Sequence, residues 1–265
     1  MTGRPQGKRR RVVTGWRLVL TAAVALVSGA ATAAGADDEW VRAITRHDLP
    51  VIERLLSRNS QYVNKSTKDG KTALMLAAGA GREELVGKLL AAGADVNKAN
   101  TRGGTALMYA ATHGDPKTVK ALLSRGAKVN AKADNGWTAL TLAAAKGYEA
   151  IVKQLLEAGA DANIADIYGW TPLMRAADGD RVGVVRVMLA DKSLRLNVGD
   201  EQGETALHHA AARGAFEIAR LLIAHGADAQ AKDTAGRTPA MVATAQGYAG
   251  LAGFIERAGK KPVSR

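Results

Sequence analysis

A repeated segment of about 33 residues is the feature that most constrains how this chain can fold. The pattern Gly-x-Thr, followed by Ala or Pro, occurs six times with successive threonines 33, 33, 33, 34 and 33 residues apart. The six threonines are Thr72, Thr105, Thr138, Thr171, Thr205 and Thr238. An alanine lies five residues after each threonine. Such a period predicts a stack of similar units sharing one elongated core, rather than one globular domain.

Each unit has the start and stop signals of two short helices. The threonine is a good N-cap, and Pro172 and Pro239 stand at the first helical position, where a missing N–H costs nothing. A glycine follows the first helix and suits a left-handed turn. These glycines are Gly81, Gly114, Gly147, Gly214 and Gly247. The pattern therefore predicts helix, turn, helix and a hairpin loop in every unit.

At this point the sequence resembles the ankyrin repeat family. The third unit reads DNGWTALTLAAAKGYEAIVKQLLEAGADAN, and the fifth contains GETALHHAAARGAFEIARLLIAHGADAQ. The match runs from about residue 38 to residue 260. The resemblance implies an all-α ankyrin-repeat solenoid of helix-turn-helix units with hairpin loops, with about seven units including atypical caps. It also implies protein–protein interaction as the function.

The predicted units follow the phase of the threonines. An N-terminal capping repeat lacks the Gly-x-Thr entry, and the C-terminal capping repeat carries Glu256 at a position that is apolar elsewhere. The fourth full unit is irregular because Asp180 replaces the usual glycine and one extra residue falls in Lys192–Arg195. The predicted ranges are 37–66, 67–99, 100–132, 133–165, 166–199, 200–232 and 233–262.

Residues 1–36 have the order of a secretory signal peptide, with a basic n-region (1–17) and an apolar region (18–36). Small residues allow cleavage between Ala33 and Asp37. This predicts a bacterial protein of the periplasm or the secreted space, and Arg9–Arg11 also resembles a twin-arginine signal. The alternative is that residues 18–36 stay as an inner-membrane anchor of a structural organiser, so membrane contact is expected only during export or through this anchor.

The charge and composition exclude several functions. The net charge is +12, but six bases and no acid lie in residues 1–36, which leaves a mild +6 for the remainder. Nucleic-acid binding is therefore not expected. The chain has no cysteine, which removes thiolate catalysis, disulfides and Cys-ligated metal sites.

The repeat units show no chemistry of catalysis. The five histidines lack a metal-binding spacing, and adjacent His208 and His209 point about 100° apart on a helix. His208 is interpreted as the family's structural histidine, which the other units have lost. We expect no catalytic residues, no metal, no cofactor and no small-molecule substrate. The alternative, an enzyme with an unrecognised site, would use residues such as His113 and Asp178.

A protein partner is expected at the hairpin tips and the exposed, concave side of the first helices. The candidate residues, taken by their phase in the repeat, are Lys71, Arg102, His113, Asn135, Trp137, Lys146, Ile167, Tyr168, Trp170 and Glu204. Basic tips at one end give way to acidic tips toward the other, which would orient a partner. The protein is expected to be a monomer.

Trp137, Tyr168 and Trp170 cluster on neighbouring central tips in a chain with only 4% aromatic residues. One interpretation makes them interface anchors, since Trp and Tyr are enriched there. The other makes each tryptophan a part of the scaffold that packs on the next hairpin. The sequence leaves both open.

Overall fold

The computed structural model describes residues 38–260, and their secondary structure is helical apart from two isolated β-bridges. This confirms the all-α prediction. The predicted signal peptide, with its n-region 1–17 and apolar region 18–36, lies outside the described residues, as do residues 37 and 261–265.

Each unit contributes two consecutive helices, an inner one and an outer one, and successive units stack on one another. The inner helices, first in each unit, are α1 (38–45), α3 (Ala73–Gly79), α5 (Ala106–His113), α7 (Ala139–Lys146), α9 (Pro172–Asp178), α11 (Ala206–Arg213) and α13 (Pro239–Ala245). The outer helices are α2 (Leu49–Arg58), α4 (Glu83–Ala91), α6 (Pro116–Ser124), α8 (Glu149–Glu157), α10 (Val182–Leu189), α12 (Phe216–Ala224) and α14 (Ala249–Gly259). A short 3₁₀ helix, Ser60–Tyr62, follows α2.

The repeated threonine begins each inner helix from α3 onward, as the sequence predicts. The Thr72 hydroxyl accepts a hydrogen bond from the Met75 N–H at 3.2 Å, and three other units repeat this contact. The second unit differs, because the buried Thr105 hydroxyl has no hydrogen-bond partner within the described chain. Pro172 and Pro239 occupy the first position of their helices, as expected.

The turn after the inner helix needs a left-handed residue in every full unit. Gly114 and Gly147 end α5 and α7 with φ of 96° and 84°. In the fourth unit Asp180 stands at the equivalent position and adopts the same region, with φ of 53°. Aspartate tolerates this conformation better than most residues, so the irregular unit keeps the turn.

Small side chains hold the inner helices against one another. The alanine pairs of α3, α5, α7, α9 and α11 are all completely buried, and helices lined with alanine can approach closely. The outer helices contribute larger apolar side chains to the same core, such as Val86, Leu89, Val152 and Leu155. The core is therefore continuous along the stack.

An asparagine ladder also joins successive units through the loops that follow the outer helices. The side-chain amide nitrogen of each asparagine donates to a backbone carbonyl in the next loop. Its side-chain oxygen accepts the backbone N–H of the residue two positions after that carbonyl. The asparagines are Asn64, Asn97, Asn130, Asn163 and Asn197.

The irregular loop of the fourth unit keeps this ladder intact. Asn163 donates to the Ser193 carbonyl and accepts from the Arg195 N–H at 2.8 Å. Ser193 therefore corresponds to Gly159 of the preceding unit, whose carbonyl accepts from Asn130. This register places the extra residue between the end of α10 and Ser193, so within the predicted stretch Lys192–Arg195 only Lys192 remains a candidate.

Candidate functional site

The hairpin tips are joined into a continuous row by backbone hydrogen bonds between neighbouring units. One N–H of each tip donates to a carbonyl of the preceding tip, at distances of 2.9–3.2 Å. The donor residues are Thr101, Asp134, Ile167, Glu201 and Thr234. The row fixes the spacing of the tips, so the side chains predicted to bind a partner are presented on one ordered edge.

A buried aspartate organises the central tip. Asp166 Oδ1 accepts the N–H groups of Tyr168 and Trp170 at 2.9 and 3.0 Å. Its Oδ2 accepts the Trp137 indole N–H at 3.1 Å and pairs with the Arg175 guanidinium. Burial by itself would raise the pKa of Asp166, but the hydrogen bonds from Arg175 and the two backbone N–H groups hold it below its ordinary value of 3.8. The carboxylate is thus charged and fully engaged.

The two tryptophans pack along the stack rather than away from it. The Arg175 guanidinium carbon lies 4.9 Å from the centre of the Trp137 ring and 4.2 Å from that of Trp170. The Trp170 ring in turn lies 4.0 Å, centre to centre, from His209 of the next unit. This is the arrangement that the scaffold interpretation describes, and it uses faces of both indoles inside the protein.

The neighbouring apolar side chains on the same tip are free of such packing. Ile167 and Tyr168 are 53% and 56% exposed, which is unusual for large apolar residues. Asn135 and Glu201 lie on the adjacent tips and are also exposed. Of the predicted aromatic cluster, Tyr168 is therefore the member most open to a partner.

Four of the predicted binding residues line one groove. A concavity of about 630 Å³ lies between the second and third units, bounded by α5, α7 and their hairpins. Arg102, His113, Asn135 and Trp137 all line it. We call this the central groove, with further lining from Gly79, Asn100, Gly104, Met108, Tyr109, Thr112, Ala133, Asp134 and Leu142.

A second concavity of about 370 Å³ adjoins the central groove toward the N-terminal end and shares Gly79 and Tyr109 with it. Lys71 lines this second space. The remaining predicted residues lie elsewhere on the inner-helix side. Lys146 is exposed at the end of α7, and Glu204 pairs with Arg237 at 3.0 Å.

His209 bridges two acidic side chains of its own hairpin. Its Nε2 lies 3.1 Å from Asp200 Oδ2, and its Nδ1 lies 4.0 Å from Glu204 Oε2. Burial lowers the pKa of His209 below its ordinary 6.5, and this outweighs the opposite effect of the two carboxylates. A neutral imidazole that ties the hairpin to α11 accounts for this geometry.

The same three residues could in principle hold a metal, which the sequence analysis does not anticipate. One potential ligand atom from each of Asp200, Glu204 and His209 lies within 4.8 Å of the others. However, the Arg237 guanidinium donates to Glu204 at 3.0 Å, and Asp200 already accepts two backbone N–H groups. A fixed positive charge at this point opposes a second cation, so we assign the cluster to holding the hairpin.

His208 has the structural role expected of it. Its Nδ1 accepts the Thr205 N–H at 3.1 Å, and its Nε2 lies 3.1 Å from the Arg237 carbonyl of the following unit. His113 and Asp178, the residues of the alternative enzyme hypothesis, are not paired with each other. Asp178 is bound by Arg213 at 2.7 Å, and it is absent from the lining of the groove that contains His113.

Sequence reasoning missed three residues that shape this face, namely Tyr109, Leu142 and Arg175. All three stand four residues after the repeated threonine, a position that faces the hairpins. The detectable signal was that this position varies between units while its neighbours repeat.

Among residues 38–260, no helix has the length and apolar character needed to cross a bilayer.

Comparison with known proteins gives matches along nearly all of the described chain. The family described as "Ankyrin repeats (3 copies)" matches residues 40–133 and 125–200, and "Ankyrin repeats (many copies)" matches residues 188–243. Among solved structures, the ankyrin repeat domain of Bcl-3, described as a unique member of the IkappaB protein family, has a TM-score of 0.68 and 30% sequence identity. The match covers 81% of this chain and 96% of the chain in that structure.

Curated relatives match shorter stretches. Human Ankyrin repeat domain-containing protein 63 is 36% identical over 77 residues, which are 29% of this chain and 20% of that protein. The rice (Oryza sativa subsp. japonica) Potassium channel AKT3 is 51% identical over 49 residues, which are 18% of this chain and 5% of the channel. The match thus spans a fifth or less of the length of these two eukaryotic relatives.

Proposed function

Because the chain belongs to the ankyrin repeat family, whose members present hairpins and inner helices to other proteins, we propose that it is a non-enzymatic scaffold that binds a partner protein. The observation that supports this most is the central groove. It gathers Arg102, His113, Asn135 and Trp137, which the sequence singles out separately, next to the exposed Ile167–Tyr168 tip. Large apolar side chains beside a groove with an apolar interior and a polar rim are typical of an interface centre.

The proposed setting is the bacterial periplasm or the secreted space, and it rests on the order of residues 1–36. The alternative is a structural organiser tethered to the inner membrane by residues 18–36. The mass of the protein recovered from cells decides between them. A mature chain that begins between Ala34 and Asp37 supports export and cleavage, whereas the full mass in the membrane fraction supports the anchor.

The partner-binding proposal predicts that an envelope protein captured by this chain binds much more weakly once the exposed side chains of the Ile167–Tyr168 tip are removed. We expect an Ile167→Ala, Tyr168→Ala double variant to bind the captured protein about tenfold more weakly or worse, the usual effect of removing interface anchors. Trp137 and Trp170 are left unchanged because their rings pack on Arg175. Binding is measured by titration of the purified pair.

The matched control is Lys120→Glu, which changes an exposed residue of the outer helix α6. Circular dichroism and the melting temperature verify that the variants fold alike. If Lys120→Glu abolishes binding and the tip variant does not, the partner uses the outer helices and the proposal is wrong.

A further inference from the structure

The central groove exists because one unit lacks the side chain that the others place before the threonine. The residues at that position are Lys71, Gly104, Trp137, Trp170, Glu204 and Arg237. In the third and fourth units the side chain covers the next unit, Trp137 over Arg175 and Trp170 over His209. Gly104 supplies nothing to cover Leu142, which is the corresponding residue of the third unit and lines the groove.

The chemistry of the uncovered space is apolar. In the fourth unit the equivalent space holds the Arg175 guanidinium, which Asp166 neutralises. In the third unit Ala133 stands at the position of that aspartate and Leu142 at that of the arginine, so both members of that ion pair are absent there. Tyr109, Trp137 and Met108 complete the walls, and rings together with a thioether favour contact with another aromatic ring.

The charges at the rim of the groove are unpaired, unlike those further along. In the fourth and fifth full units and the C-terminal capping repeat, Arg175, Arg213 and Arg237 each pair with a carboxylate. By contrast, no ion pair within the described residues involves Arg102 of the central groove or Lys71 of the adjoining concavity, and Asp134 is the acidic residue of the groove wall. A free guanidinium next to an apolar space is complementary to a ligand that carries a carboxylate.

We propose that the central groove is a specificity pocket for an extended segment of the partner protein that carries an aromatic residue beside an acidic residue. The aromatic ring contacts Leu142 and Trp137, and the carboxylate binds the Arg102 guanidinium. A volume of about 630 Å³ exceeds the needs of one side chain, so residues next to the anchor also enter. This inference rests on the proposed function, because it names the chemistry of the partner at the same surface.

Displayed libraries of short peptides test the inference on the full chain. The libraries have random flanks around a fixed central pair, which is Phe-Glu, Phe-Lys, Ser-Glu or Ser-Lys. The targets are the unchanged protein and the two variants Leu142→Arg and Arg102→Glu. Leu142→Arg gives the third unit the arginine that occupies the equivalent space in the fourth unit, and Arg102→Glu changes a residue at an exposed tip. Gln246→Arg and Lys120→Glu are the controls, since they make the same charge changes at exposed positions outside the groove.

We expect Phe-Glu peptides to be enriched about tenfold or more over Ser-Lys peptides, as for the loss of an interface anchor. Leu142→Arg should abolish the enrichment, and Arg102→Glu should shift the preference from Phe-Glu to Phe-Lys. Both controls should select as the unchanged protein does. A preference that reverses with Arg102 cannot come from misfolding.

Four outcomes would overturn the inference. One is selection without preference for the pair, and another is a preference that neither groove variant changes. A third is that Leu142→Arg and Arg102→Glu leave the titrated affinity of the captured partner unchanged while the Ile167, Tyr168 variant weakens it, in which case the proposed function stands and this pocket does not. Binding of a small envelope metabolite that Leu142→Arg removes, with no peptide selected, would also reject a protein segment as the occupant.

Discussion

Replacing Arg175 by leucine is expected to lower the free energy of unfolding by about 3 kcal/mol, the lower end of the cost of breaking a buried ion pair. The Asp166 side chain is fully buried, and its cationic partner is 22% exposed. Without the guanidinium, the carboxylate keeps three N–H donors but no compensating charge. The two indole rings also lose the cation between them. Urea denaturation of the variant and the unchanged protein measures the difference.

The control for this prediction is the Asp166→Ala, Arg175→Leu double variant, which copies the pair Ala133 and Leu142 that the third unit already carries. Removing both charges leaves no uncompensated carboxylate, so the double variant should lose clearly less stability than the sum of the two single variants. If the losses simply add, the ion pair does not hold the central units together.

Replacing Gly136 by alanine is expected to cost about 3 kcal/mol, for two reasons that the structure separates. Gly136 has a φ of 80°, where an L-residue pays about 1–2 kcal/mol. In addition, a Cβ would lie 2.7 Å from the Asp166 Cα and 3.0 Å from the Ile167 nitrogen, both backbone atoms of the next hairpin. The close approach of neighbouring hairpins therefore adds a steric cost to the conformational one.

Gly236→Ala isolates the conformational part. Gly236 has nearly the same φ, 76°, but apart from its chain neighbours no heavy atom lies within 4 Å of a Cβ placed there, since residues 38–260 contain no hairpin after this one. We expect it to cost only about 1–2 kcal/mol. Equal losses in the two variants, measured by the same denaturation, would show that the hairpins are not in close contact.

The sequence predicted what depends on a single unit. The phase of Thr72 and its five counterparts is enough to position the inner helices, and the threonine caps and Pro172 follow from local chemistry. The buried alanine pairs are also visible in the repeat. These features depend on residues of the same unit, so each unit can be interpreted by itself.

Contacts between units were predicted only in part: the packing of the tryptophans and the role of His208 were foreseen, whereas the second contact of Asp166 and the effect of Gly104 were not. The turn chemistry of aspartate accounts for Oδ1 of Asp166, which accepts from its own hairpin. It does not account for Oδ2, which binds Trp137 of the preceding unit and Arg175 of α9. Similarly, Gly104 is unremarkable within its own unit, and its effect is seen only where Leu142 of the next unit is left uncovered.

The central claim, that a partner protein occupies the inner-helix side of this solenoid, is tested most directly by amide hydrogen exchange with and without the captured partner. The claim predicts slower exchange on binding in the tips around Arg102, Asn135 and Tyr168, and in the inner helices α5 and α7. The outer helices α4, α6 and α8 should exchange as before. Protection of the outer helices alone, with unchanged exchange at the tips, would contradict it.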